Sequence, residues 1–169
     1  MLKHSIQEQL ILHEELRTEV YTCPANKLTI GVGRNLEDVG LYEFEQKRML
    51  DNYGLTKQEV IDILQVRQIT QEEALYMLNN DIMIIRAELE NSYRWFNFLN
   101  EVRQKVIIDM RFNLGSSGFA GFKNMIKQVE NMNYWNAGEE MKDSKWYSQV
   151  KTRADRLIKM MVTGQDYDL

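Results

Sequence analysis

Glu14, Cys23 and Thr29 stand in order, with eight residues between the first two and five between the last two. A glutamate at a cleft edge, partly desolvated, can hold a proton near neutral pH and donate it to a leaving oxygen. A hydroxyl and a second polar group opposite it can hold a water. Those are the parts that hydrolysis of a glycosidic bond needs. The same three residues also fit a plainer reading, with Glu14 on the surface, Cys23 as a small buried apolar residue and Thr29 as an ordinary strand residue.

The flanking pattern has to bring these residues together. Residues 3–15 read as a first helix, with Ile6 and Leu10 on one side and Glu14 near its end. Val20, Thr22, Leu28, Ile30 and Val32 then alternate with other residues, and "CPAN" supplies turn chemistry between two short runs. That predicts a small β-hairpin carrying Cys23 and Thr29. Helical patterns follow over 41–53 and from "LTKQEVIDIL", which opens on a capping box of Thr56 with Glu59. Thr70 with Glu73 opens another, and its helix continues without a breaker to about Glu90, long enough to connect two lobes. Further helices are expected over about 101–114, 120–131, 133–142 and 151–162, with "NLGSSGFAGF" as a glycine-rich break. Most of the tryptophans and phenylalanines, Trp135 and Phe98 included, are expected in the core.

With 169 residues, 44% of them hydrophobic, the chain suits one domain with a sizeable core. The single cysteine excludes an internal disulfide. No apolar run approaches a membrane span, and the opening residues lack the pattern of a signal peptide. Residues 1–99 hold 10 Lys/Arg against 16 Asp/Glu, while residues 100–169 hold 11 against 9. The late cluster of Lys142, Lys145, Lys151, Arg153, Arg156 and Lys159 is either a solvated helix face or a surface turned to a polyanion. The pI near 5.3 argues against a dedicated nucleic-acid binder. His4 and His13 have no partners at metal-ligand spacing, so no metal and no cofactor are expected. "IGVG" lacks the frame of a nucleotide loop.

The stretch from Glu14 through Cys23 and Thr29 to "IGVG" at 30–33 resembles the active-site segment of phage-type lysozymes, the T-even phage endolysins of glycoside hydrolase family 24. "ITQEEALYMLNNDI" resembles the start of that family's interlobe helix. "MRFNLGSSGFAGFKNM" resembles its central core helix and glycine turn, and "DSKWYSQVKTRADR" its Ser-x-Trp-Tyr…Arg-Ala segment. The likeness covers nearly the whole chain in the same order. It implies Glu14, rather than Glu15, as general acid, Cys23 at a position usually held by aspartate, and Thr29 as a water-positioning hydroxyl. It further implies that Arg153 matches the arginine brought near the acid. Asn113 matches a polar amide facing the cleft, though it reads equally well as a helix-terminal residue before Gly115. Gly31 and Gly33 would let the strand approach a sugar chain. Arg34 stands where many relatives have histidine. An Arg34–Asp81 pair could tie hairpin to helix, worth about 0–1 kcal/mol if exposed.

The resemblance implies a mostly α, α+β fold with two lobes: a small hairpin lobe over about 16–69, an interlobe helix over about 70–90, and a helical lobe from 1–15 and 91–169. It implies a monomeric endolysin that hydrolyses the β-1,4 bond between N-acetylmuramic acid and N-acetylglucosamine in peptidoglycan. Such a protein would be made in a host cytoplasm, would have no nucleic-acid or stable membrane partner, and would need a holin-type pore to reach the periplasm. A lytic transglycosylase and a non-catalytic wall-binding protein are the alternatives.

Overall fold

The computed structural model describes all 169 residues. It contains eight α-helices and one three-stranded antiparallel sheet of order β1-β2-β3, a mostly α member of the α+β class. The chain divides into two compact units, one formed by Leu10–Asp81 and the other by Met1–Gln9 with Ile82–Leu169.

In the unit Leu10–Asp81, the end of α1 (Ile6–Glu14) runs directly into β1 (Arg17–Thr22). β2 (Leu28–Gly31) pairs with β1 so that Tyr21 stands opposite Thr29 and Thr22 opposite Leu28. β3 (Arg34–Asn35) pairs with β2. The helix expected over 41–53 is shorter and looser. It is one turn, α2 (Glu43–Glu45), followed by a π-helical stretch (Gln46–Leu50) that ends where Asp51 turns left-handed. α3 (Lys57–Val66) starts on the expected Thr56–Glu59 box, with the Glu59 N–H donating to Thr56 Oγ1 at 3.1 Å. α4 (Gln71–Ser92) starts on the Thr70–Glu73 box, with both reciprocal bonds made at 2.9 and 3.0 Å. Ile30, Leu36, Leu41, Val60, Leu64 and Met77 are among the residues that form this unit's core.

The other unit holds the start of α1, the end of α4 and the four remaining helices: α5 (Glu101–Ala120), α6 (Lys123–Glu130), α7 (Tyr134–Lys142) and α8 (Lys145–Thr163). The glycine-rich break is a kink rather than an end. Gly115 takes φ 77° and ψ 171° inside α5, a conformation a side chain would oppose. α8 begins six residues before the expected position, because the Ser144 hydroxyl caps it by accepting the Tyr147 N–H at 3.1 Å; Lys151 marks a kink inside it. Phe96, Phe119 and Trp146 are buried as expected. Trp135 is 67% exposed and Phe98 86% exposed, so neither belongs to the core. No helix is long and apolar enough to cross a membrane.

Candidate active site

Glu14 is the last helical residue of α1. The next residue, Glu15, adopts φ 64°, and its N–H closes back on the Ile11 carbonyl at 2.8 Å. That is a left-handed helix cap, and it sends adjacent side chains in different directions. Glu15 is exposed and pairs with Arg17 at 3.3 Å, whereas Glu14 is half-buried.

Cys23 opens the turn at the hairpin tip. The Cys23 N–H bonds to the Lys27 carbonyl at 2.9 Å, and the Asn26 N–H to the Cys23 carbonyl at 2.8 Å, which fixes the turn. Burial pushes the thiol pKa up. Hydrogen bonds from the Lys27 backbone, the Thr29 side chain and the Ala25 backbone outweigh it and leave the thiol below its ordinary value. Thr29 is buried, and its hydroxyl donates to the Lys27 carbonyl at 2.9 Å. Cys23 and Thr29 thus lie together near the hairpin tip, on the paired strands β1 and β2. Glu14 shares their surroundings through Tyr21: the charges of Glu14 and Cys23 both act on the Tyr21 phenol. Sequence reasoning passed over Tyr21, although its two-residue offset from Cys23 was a readable signal.

Gly31 and Gly33 flank the β2–β3 turn with φ of 67° and 68°. A Cβ on Gly31 would lie 3.7 Å from Ile69 and 3.8 Å from Ala74, so the open side of that residue faces packed side chains. The turn leads into Arg34, which is only 2% exposed. The surface estimate for its pair with Asp81 therefore does not apply. All five N–H groups of the guanidinium are engaged. Nε donates to Asp81 at 3.0 Å, and the Nη groups reach Glu45 at 2.7 and 3.0 Å and the Gly40 and Met77 carbonyls at 3.1 and 3.2 Å. Glu45, fully buried and also held by Asn80 at 2.9 Å, is the partner that the sequence reading did not find.

Asn113 and Arg153 lie in the other unit. The Asn113 side-chain carbonyl accepts the Trp146 indole N–H at 2.7 Å, which fixes the amide's orientation. Arg153 is buried, and its guanidinium meets Asp109 with Nε at 2.8 Å from Oδ1. The other oxygen of Asp109 accepts the Gln9 amide at 2.7 Å. Asp109 and Gln9 are both fully buried, a second set the sequence reading missed. The His, Cys, Asp and Glu side chains form no group that could hold a metal ion.

The sequence profile of one family, described as phage lysozyme, matches residues 12–160, a span that contains every site residue above from Glu14 to Arg153. The chain belongs to the phage lysozyme family. It is 26% identical over 168 residues to probable T4-type lysozyme 1 of Dictyostelium discoideum, covering 95% of each chain. It is 24% identical over 163 residues to probable T4-type lysozyme 2 of the same organism, again over 95% of each. It is also 28% identical over 165 residues to the pre-baseplate central spike protein Gp5 of Enterobacteria phage T4, where 95% of this chain matches only 28% of the longer protein. Membership of the phage lysozyme family implies a glycoside hydrolase with peptidoglycan as its substrate.

Proposed function

We propose that the chain is a muramidase that cleaves the β-1,4 bond between N-acetylmuramic acid and N-acetylglucosamine, with Glu14 as general acid and Cys23 and Thr29 positioning the attacking water. The observation that supports this reading is the hairpin register, which sets Tyr21 opposite Thr29 with Cys23 two residues on, and the half-buried Glu14 whose charge acts on Tyr21. In the reaction, the glycosidic C–O bond breaks as Glu14 gives its proton to the departing oxygen. The water oxygen bonds to the anomeric carbon from the opposite face and sheds a proton to solvent. That course inverts the configuration and forms no covalent bond to sulfur. Asn113, Arg153, Gly31 and Gly33 are assigned to sugar binding on the resemblance. Host-cell lysis as a monomeric endolysin, released to the periplasm through a holin-type pore, is the proposed use.

Muropeptide release from purified peptidoglycan tests the reading. Glu14→Gln is expected to lose about 10²–10⁴-fold in rate with its fold intact. A comparable loss in Glu15→Gln, with Glu14→Gln still active, would reverse the assignment. Mass spectrometry of the products separates the alternatives: a hydrolysed product is one water heavier than the 1,6-anhydro product of a transglycosylase. Binding to peptidoglycan without any release would leave the wall-binding reading.

A further inference from the structure

Tyr21 has no part in the reading above, yet its placement joins it to the same face. It stands opposite Thr29 in the β1–β2 register, and directly opposed side chains lie within about 5 Å of each other on one side of a sheet. Cys23 follows two residues later, and its N–H continues the ladder to Lys27, so it projects to that same side. The ring is held in place. The Arg17 guanidinium lies 4.5 Å from its centroid, and Arg17 is itself paired to Glu15 at 3.3 Å. The phenol is half-buried, and no protein group hydrogen bonds its hydroxyl. A pinned ring therefore presents a spare O–H beside the two groups assigned to the water.

We propose that Tyr21 is a positioning residue of the hydrolytic site, its hydroxyl forming with Cys23 and Thr29 a three-sided cradle for the attacking water. The inference rests on the muramidase reading. Its chemistry suits the task. Burial, and then the negative charge of Glu14, push the phenol above its ordinary pKa, so it stays an O–H donor throughout the neutral range. The water offers a lone pair to that O–H and directs another at the anomeric carbon; one of its protons points between the Cys23 sulfur and the Thr29 oxygen, whose own proton is held by the Lys27 carbonyl, and the other points to solvent.

Tyr21→Phe tests this, because it removes one oxygen and leaves the ring beneath Arg17. On purified peptidoglycan kcat is expected to fall about tenfold, the scale of one hydrogen bond made in the transition state, with KM within about twofold of wild type. The midpoints of the pH–rate profile and the thermal midpoint should stay put. In a Cys23→Ala background the same substitution should cost less, since both residues act on one water. An unchanged kcat in Tyr21→Phe, a change confined to KM, or a loss matched by lower thermal stability would overturn the inference alone. A wild-type chain that releases no muropeptide would overturn the muramidase reading, a fully active Glu14→Gln variant would overturn the assignment of the acid, and either would take this inference with it.

Discussion

Cys23 shows how a residue type can mislead until its backbone setting is known. A free thiol titrates near about 8.5, and the sequence gives no reason to expect otherwise. The turn supplies the reason. Hydrogen bonding at the turn, from the Lys27 backbone, the Thr29 side chain and the Ala25 backbone, lowers the thiol pKa in spite of burial, as it would lower that of a carboxylate in an Asx-type turn. "CPAN" announced a turn, but which N–H groups would point at the side chain depends on dihedral angles that no residue letter states. Two outcomes follow from the donors. Iodoacetamide should modify Cys23 faster at neutral pH than it modifies a free cysteine, and modification should abolish muropeptide release. Cys23→Asp should keep substantial activity, because the same donors suit a carboxylate. Modification at the rate of free cysteine, or full activity after complete alkylation, would reduce Cys23 to a packing residue. The neighbouring glutamates make the same point more simply: Glu14 and Glu15 are equivalent as letters, and the left-handed backbone of Glu15 itself sets them apart.

Elements were legible where their signals are local. The boxes of Thr56 with Glu59 and Thr70 with Glu73 span four residues each, and both make the predicted bonds. Ser5 with Glu8 forms a third box at the start of α1, with bonds of 2.7 and 3.1 Å, and its "SIQE" was equally readable. The Ser144 cap of α8 lacks an acidic residue at the third helical position and was overlooked. Burial of Arg34 was beyond reach, because a short β3 carries it inward to a glutamate eleven residues along the chain. The two carboxylates around it are not equivalent. Burial pushes Asp81 above the usual carboxylate range despite the attraction of Arg34, so folding works against its charge. Asp81→Asn removes that charge and keeps an acceptor for Nε, and should cost less than about 1 kcal/mol. Glu45→Ala strips the bidentate partner from a buried cation and should cost about 3–5 kcal/mol. Urea denaturation of the two variants gives the comparison, and equal losses would contradict it.

At the scale of the whole molecule, the contacts least visible in sequence join the two ends of the chain. The Asp166 carboxylate accepts the Lys3 and His4 backbone N–H groups at 2.6 and 3.0 Å and the Lys105 ammonium at 2.7 Å. Lys105 also donates to the His4 carbonyl at 2.7 Å, and the His4 ring stacks on Tyr167 with centroids 4.3 Å apart. The late basic cluster gave no hint of this, since Lys105 lies outside it and is buried while Lys142, Lys145, Lys151 and Lys159 are exposed. Burial raises the Asp166 pKa, but the Lys105 hydrogen bond and the His4 and Lys3 N–H groups lower it further, and the net shift is downward. A carboxyl lowered by folding stabilises the protein fully above its unfolded pKa and loses that contribution as pH falls through the folded value. The Asp166 contribution should therefore be complete above about pH 4 and disappear below it. Asp166→Asn should lower stability at neutral pH and make the loss on acidification shallower than in wild type. Asp166→Ala, which leaves Lys105 buried without its counter-charge, should cost about 3–5 kcal/mol. Urea denaturation across a pH series reads both effects, and an acid slope in Asp166→Asn as steep as in wild type would show that the clasp carries no linked proton.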